Sequence, residues 1–120
     1  MTPAGYFGGV VAMTAADFRR VNGFSNVYWG WGNEDDDLYR RVILHNLTVA
    51  RPFYEEPSLI RRMHYRSLYH PQEKRNPMRG QLLVDGSGRM HSDGLVDLNY
   101  KRLAIKLELL YTHLLVDIQQ

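Results

Sequence analysis

The chain has 120 residues, enough for one small domain with a buried core, and its 44% hydrophobic and 23% charged residues are typical of soluble globular proteins. The net charge of +2 is spread along the chain, which argues against a nucleic-acid-binding protein, and the absence of cysteine excludes disulfide scaffolds, zinc ribbons and thiol catalysis. No apolar run of about 18 residues occurs, so we expect any membrane anchor or secretion signal to lie outside this chain.

The beginning of the chain predicts a strand, a helix and a stop. Residues 6–13 (YFGGVVAM) are apolar and contain two glycines, which is typical of a buried strand that another group can approach closely. Thr14 is a suitable N-cap for a short helix over residues 15–21. The Asn-Gly pair at residues 22–23 favours the end of that helix.

The next part predicts a loop, a second helix and a short strand. Residues 24–32 mix aromatic residues with glycines and show no periodicity, which indicates a loop. The helix should start at residue 33 or 34, because acidic residues favour a helix N-terminus, and run to residue 45 or 46. A short strand over residues 48–50 would follow, closed by the Arg-Pro pair at residues 51–52.

One N-glycosylation sequon lies in this part of the chain. Asn46, Leu47 and Thr48 have the Asn-x-Thr pattern that accepts a glycan when a chain passes through a secretory lumen. Such triplets also arise often by chance. The sequence by itself therefore gives this site little weight.

The second half predicts a long loop and an uncertain C-terminal element. Residues 61–92 are rich in Arg, His, Gly, Pro and Asn without sustained periodicity, which predicts a flexible functional loop or lid. Residues 98–118 contain β-branched and aromatic residues, and they predict either a strand pair or a helix followed by a strand. We expect residues 1–120 to form a single domain.

Four consecutive acids at residues 34–37 mark the start of the second helix. Asp36 and Asp37 have arginine partners four residues later, so the sequence predicts a solvated, ion-paired face for them. The simplest interpretation is that all four acids only decorate the helix start, because charge runs are usually solvated.

Asp35 stands apart from the other acids because it shares a helix face with Leu38, Tyr39 and Val42. A carboxylate at the rim of an apolar core is partly desolvated and becomes a better proton acceptor near neutral pH. We therefore predict that Asp35 is a catalytic base.

Two tryptophans alternate with glycines immediately before the acids. Trp31 lies between Gly30 and Gly32, which leave the backbone free to swing, and an indole can cover a sugar ring. Burial in the core is the other interpretation of Trp31, and both stay open. For Trp29 we predict a core position.

Seven short segments carry a family resemblance. They are residues 6–10 (YFGGV), 22–24 (NGF), 28–32 (YWGWG), 34–37 (EDDD), 51–52 (RP), 92–95 (SDGL) and 110–112 (LYT). The same segments occur in this order in β-1,4-galactosyltransferases, which the chain resembles over nearly its whole length. The resemblance implies an α/β fold that is the C-terminal portion of a GT-A-type glycosyltransferase, with the nucleotide-binding N-terminal half missing.

The resemblance also implies an activity and roles for particular residues. The activity is inverting transfer of galactose, or a related hexose, from a UDP-sugar to the 4-hydroxyl of an acceptor sugar on a glycan. Asp35 matches the residue that takes the proton from this hydroxyl. The substrate-binding residues implied are Tyr6, Gly8, Gly9, Trp31, Gly32, Glu34, Asp35 and Arg79.

Manganese is the metal that the resemblance implies, and His64 matches the family's ligand histidine. Relatives commonly have methionine three residues before it, but Arg61 stands there in this chain, and an arginine cannot bind manganese. The expected ligand set is therefore incomplete. His70 is a weaker candidate.

Two further departures from the family matter for function. Arg79 is followed by Gly80 where many relatives have Arg-Phe, so we expect an acceptor other than N-acetylglucosamine. The Asp-x-Asp motif that follows a strand in the family is absent, so we expect the chain alone to hold the nucleotide poorly.

Three functional hypotheses stay open. The first is the base-bearing part of a transferase, expected in the Golgi lumen within a type II membrane protein. The second is a sugar-binding module without turnover, and the third is a partner subunit of a transferase. The oligomeric state is not predicted.

Overall fold

The computed structural model describes residues 7–50 and 68–118, so Tyr6, His64 and the Arg-Pro pair lie outside the described residues. The described residues form helices α1 (Ala15–Arg20), α2 (Glu34–Leu44) and α3 (Arg79–Arg89), followed by strands β1 (Lys101–Leu107) and β2 (Thr112–Asp117). Helix α2 packs against α3, and β1 pairs with β2. None of these helices is long and apolar enough to cross a bilayer.

The predicted cap and stop of α1 are confirmed. Thr14 Oγ1 accepts a hydrogen bond from the Asp17 amide at 3.0 Å, which satisfies one free donor of the first turn. At the other end, Asn22 and Gly23 have φ values of 61° and 65°. The Gly23 amide donates back to Phe18 O at 2.8 Å and closes the helix.

The predicted start and inward face of α2 are also confirmed. The helix begins at Glu34 and ends at Leu44, with His45 as its C-cap, so it is one or two residues shorter than predicted. Its Leu38 and Val42 are 1% and 4% exposed, and they pack with Phe7 and Val21 in the hydrophobic core. Tyr39, which is partly buried, packs against the same cluster.

Helix α3 lies inside the segment predicted as an irregular loop, so that prediction is wrong for Arg79–Arg89. The segment contains three glycines, each of which costs about 1 kcal/mol in a helix interior relative to alanine. Packing against α2 overrides this low propensity. Gly86 is buried in this contact, and the Asp37 carboxylate occupies the space that a Cβ at this position would need.

The C-terminal segment is a β-hairpin, which confirms the strand-pair alternative. Strands β1 and β2 are antiparallel, from the pair Lys101–Asp117 to the pair Leu107–Thr112, with an irregularity between Arg102 and Ala104. Every residue of both strands is exposed. The hairpin therefore presents its apolar side chains to solvent.

Two predicted strands are not formed. Residues 7–13 and 48–50 have no strand structure, although both segments are described. A strand needs a partner for its backbone groups, and within the described ranges only β1 and β2 pair as strands. Val10 is accordingly 65% exposed, so the prediction of a buried first strand is wrong.

Candidate functional site

A cavity of about 700 Å³ opens beside the N-terminus of α2. Gly8 and Gly9 line it from the first described segment, and Glu34 and Asp35 line it from the helix. Gly9 has a φ of 88°, a conformation that glycine adopts without strain. The fold therefore brings four of the predicted site residues to one concave surface.

The remaining wall of the cavity is mostly apolar. Its side chains come from α1, from the segments that flank it and from α2. They include Phe7, Met13, Phe18, Phe24 and Leu38. Two carboxylates thus stand at one end of an apolar cleft, an arrangement typical of small-molecule sites.

Asp35 is half-buried at the rim of this cavity. Its Oδ1 accepts a hydrogen bond from the Asp36 amide at 2.9 Å. Glu34 is exposed, and its Oε2 accepts from the Gly32 amide at 3.2 Å. The two carboxylates are therefore oriented by one backbone amide before the helix and one in its first turn, where the helix dipole also favours negative charge.

Trp31 lies in a second group of site residues next to α3. The residue is 43% exposed, and the guanidinium carbons of Arg75 and Arg79 lie 5.1 and 5.7 Å from the ring centroid. The Trp31 amide donates to Lys74 O at 2.9 Å, and the Asn76 amide donates to Trp31 O at 3.1 Å. Two arginines and a short backbone pairing therefore hold the indole in place.

The two glycines beside Trp31 both have positive φ values and close neighbours. Gly32 has a φ of 121°, and a Cβ there would lie 2.6 Å from Arg79 Cδ. Gly30 has a φ of 79°, and a Cβ there would lie 2.7 Å from Lys74 O. Both positions need glycine because neighbouring groups approach the backbone.

Trp29 is 49% exposed, so the prediction that it is a core residue is wrong.

The prediction of a solvated face for Asp36 and Asp37 is wrong. Asp37 and Arg41 are each only 1% exposed, and Arg41 Nε donates to Asp37 Oδ2 at 2.8 Å. Asp36 is half-buried, and burial together with the charge of Asp35 raises the pKa of Asp36 above its ordinary value. The pairing at i,i+4 is correct for Asp37, but α3 and the turn after it cover this face of the helix.

A buried polar cluster, which we call the Asp93 network, joins α2, α3 and the loop before α2. Asp93 is 4% exposed and accepts hydrogen bonds from the Asn26 amide at 2.7 Å and from Arg89 Nε at 2.9 Å. Its backbone carbonyl accepts from Arg41 Nη1 at 2.7 Å. The two acids and two arginines of the network are Asp37, Asp93, Arg41 and Arg89.

The Asp93 network has no net charge, because its two carboxylates are paired with two guanidinium groups. Burial alone would raise the pKa of Asp93, but hydrogen bonds from Ser25, Asn26 and Arg89 and the charge of Arg41 outweigh it and hold this pKa below 3.8. Burial and the neighbouring charge of Asp37 raise the pKa of Tyr28 to about 12. Both residues therefore keep one charge state at neutral pH.

Asp93 organises this cluster, a role that was not predicted from the sequence. It appeared only inside the SDGL segment, although Arg89 and Asp93 have the same i,i+4 spacing as Asp37 and Arg41. Gly94 extends the cluster, because its φ of 147° places its backbone against Asn22. Residues of several family motifs thus meet in the Asp93 network as well as at the cavity.

A complete manganese site is not formed by the described residues, which contain no group of three or more His, Asp or Glu side chains able to hold a metal ion. His70 is exposed, and its Nδ1 lies 2.9 Å from Pro71 O. Asp35 and Asp37 have Asp-x-Asp spacing, but this pair is unsuitable as a metal site because Asp37 is paired with Arg41. The assignment of His64 stays a prediction.

A family model described as the N-terminal domain of galactosyltransferase matches residues 2–71, more than half of the chain. The chain belongs to the galactosyltransferase family. That description names an N-terminal domain, whereas the order of the motifs predicts the C-terminal part of the catalytic domain. The position of this chain within longer galactosyltransferases therefore stays a prediction.

Curated relatives agree with this membership. Beta-1,4-galactosyltransferase 2 of Homo sapiens is 39% identical over 118 residues, which is 96% of this chain and 30% of the relative. Beta-1,4-galactosyltransferase 4 of Rattus norvegicus is 41% identical over 115 residues, 93% of this chain and 32% of the relative. The chain thus spans about a third of the length of these galactosyltransferases.

A solved structure shows a similar fold. It is the catalytic domain of Drosophila β1,4-galactosyltransferase 7 in complex with xylobiose, and it aligns with a TM-score of 0.58 at 24% identity. The alignment covers 88% of this chain and 46% of that one. This likeness supports the fold of a galactosyltransferase catalytic domain, represented here by a part of it.

Proposed function

We propose that the chain is the base-bearing part of an inverting galactosyltransferase, which transfers galactose or a related hexose from a UDP-sugar to the 4-hydroxyl of an acceptor sugar on a glycan. The observation that carries the proposal is the shared cavity of Gly8, Gly9, Glu34 and Asp35 in a member of the galactosyltransferase family. Asp35 has the required position because it combines a half-buried carboxylate with access to that cavity.

In this proposal Asp35 accepts the proton of the acceptor hydroxyl as its oxygen attacks the anomeric carbon of the donor sugar. The bond between that carbon and the UDP oxygen breaks, and UDP leaves on the opposite face with the electron pair. General base catalysis of this kind typically contributes about 10² to 10⁴ in rate. Glu34 binds acceptor hydroxyls beside the base.

The acceptor sugar lies between the cavity and Trp31. The indole covers one face of the ring, because sugar C–H groups pack well on a flat apolar surface. Arg75 and Arg79 hold the indole and leave 43% of Trp31 exposed for this contact. Nothing lies within 4 Å of a Cβ built at Gly80, the position where the resemblance implies an aromatic residue in many relatives, and this supports an acceptor other than N-acetylglucosamine.

The donor nucleotide is bound largely by a part of the enzyme other than this chain, which spans about a third of its relatives. Manganese is expected to assist the leaving diphosphate in the family. Because the described residues do not form a metal site, no step of this proposal is assigned to the metal.

The proposal is tested by measuring transfer of radiolabelled galactose by the complete protein and by its Asp35→Asn variant. We expect Asp35→Asn to reduce kcat by at least about 100-fold with an unchanged circular dichroism spectrum. Asp85→Asn is the matched control, because Asp85 is exposed on α3 and should leave transfer unchanged. Equal activity of wild type and Asp35→Asn would exclude Asp35 as the base.

The binding-module hypothesis predicts a different result in the same samples. Acceptor-sugar binding that survives Asp35→Asn, needs no UDP and is accompanied by no transfer in the wild type would favour it. The partner-subunit hypothesis is favoured by the exposed apolar hairpin, and it predicts folding only in the presence of a second transferase chain.

A further inference from the structure

The turn that follows α2 contains the sequon described above. Asn46 has a φ of 56°, its amide donates to Ile43 O at 2.9 Å, and the Leu47 amide donates to Val42 O at 3.1 Å. This left-handed residue ends the helix. Asn46 and Thr48 are exposed, whereas Leu47 between them is partly buried against the hydrophobic core.

The backbone of this turn explains why residue 46 is an asparagine but not why residue 48 is a threonine. Asparagine is common at a left-handed position after a helix, so the turn accounts for Asn46 without any modification. It does not account for Thr48, which is exposed two residues later and outside any helix or strand. The pair presents the amide and the hydroxyl that the sequon requires on an accessible surface.

We propose that Asn46 carries an N-linked glycan. In the secretory lumen the amide nitrogen Nδ2 of Asn46 would form a bond to the anomeric carbon of an oligosaccharide held on a lipid pyrophosphate. The bond between that carbon and the pyrophosphate oxygen breaks, the lipid pyrophosphate leaves with the electron pair, and the amide loses one proton. The transferring enzyme and the lipid-linked donor belong to the lumen and not to this chain.

The position of Asn46 is compatible with the proposed transfer reaction. It lies eleven positions after Asp35, which places it about 16 Å away along the axis of α2. A glycan there extends from the end of the helix opposite the cavity. The modification therefore requires a luminal chain, as the proposed function does, but it does not require catalysis.

The sequence makes the site easy to isolate. The other asparagines are followed two positions later by Phe24, Tyr28, Asp35, Met78 and Lys101, none of which is serine or threonine. Any N-linked glycan on these 120 residues must therefore be on Asn46.

The test uses the protein purified from its own cells, digested to peptides and treated with peptide:N-glycosidase in ¹⁸O-labelled water. We expect the peptide with residue 46 to lose a glycan mass and to gain an ¹⁸O-labelled aspartate at that position. Recovery of only unmodified Asn46 would overturn the proposal. Transfer activity in the same preparation is a separate result: activity with unmodified Asn46 overturns only the glycan, and a glycosylated but inactive protein contradicts only the proposed function.

Variants expressed in those cells separate the sequon from the turn. Asn46→Gly keeps the left-handed turn and should lose the glycan, and Thr48→Ala should lose it as well. Thr48→Ser is the matched control and should keep it. A glycan mass that persists in Asn46→Gly would contradict the assignment.

Discussion

The Asp93 network buries charged side chains, whereas the β1–β2 hairpin exposes apolar ones. In the network, Asp37, Arg41 and Asp93 are between 1% and 4% exposed. In the hairpin, every residue of both strands is exposed, and Leu109 and Leu110 in its loop are 96% and 91% exposed. The buried charges are tolerated because each has a partner, whereas the apolar hairpin has no covering surface within the described residues.

This contrast indicates that the buried ion pairs around α2 and α3 stabilise the fold more than the hairpin does. Residues of several family motifs lie in the same region. The network joins three segments through hydrogen bonds to charged groups, which are stronger than neutral ones. The hairpin is held by its own pairing and contributes little to the core.

The largest loss of stability is expected for Asp93→Asn. Removing this carboxylate leaves Arg41 and Arg89 with Asp37 as their shared charged partner, so one buried positive charge is uncompensated, which should cost about 3 to 5 kcal/mol. Urea unfolding followed by circular dichroism measures the change. Asp85→Asn, on the exposed side of α3, should stay within about 0.5 kcal/mol of wild type. Equal midpoints for the two variants would show that the network adds no net stability.

A pair of glycines in α3 gives a sharper test of the same packing. Gly86→Ala forces a methyl group against Asp37 and should destabilise the fold by about 1 to 3 kcal/mol. Gly88→Ala has nothing within 4 Å of the new Cβ and should stabilise it by about 0.5 to 1 kcal/mol, because alanine favours helix. Changes of the same sign in both variants would contradict the observed contact between α2 and α3.

Acid should weaken the network selectively. The folded-state pKa of Asp93 lies below 3.8, its ordinary value, so its contribution is complete above that pH and is lost as pH falls through the folded pKa. The difference in unfolding free energy between wild type and Asp93→Asn should therefore be constant near neutral pH and shrink below about pH 3.8. A difference that grows on acidification would reverse the assigned sign.

The smallest effect is expected in the hairpin. Leu109→Ser and Leu110→Ser change highly exposed side chains and should alter the unfolding free energy by less than about 0.5 kcal/mol. They should also reduce self-association in light scattering, because they remove exposed apolar surface. By comparison, Leu38→Ala in the core should cost about 2 to 5 kcal/mol. A large loss of stability in Leu110→Ser would show that the hairpin is covered.

The sequence by itself determined the features that depend on neighbouring residues in the chain. Thr14 as a cap, the stop at Asn22 and Gly23, and the start of α2 follow from local hydrogen bonding and backbone preference. The order of the motifs was enough to predict the galactosyltransferase family, and the spacing of Leu38 and Val42 predicted the buried face of α2. Each cap, stop, spacing and motif is a pattern of a few neighbouring residues.

Only the tertiary structure decided which groups meet across long separations. It placed Asp37 and Arg41 inside the protein because Asp93, more than fifty residues later, accepts the hydrogen bonds that Arg41 does not give to Asp37. It formed α3 despite its glycines because Asp37 fills the space beside Gly86. Local propensity cannot report such contacts, since the burial that makes them favourable exists only after α2 and α3 have packed together.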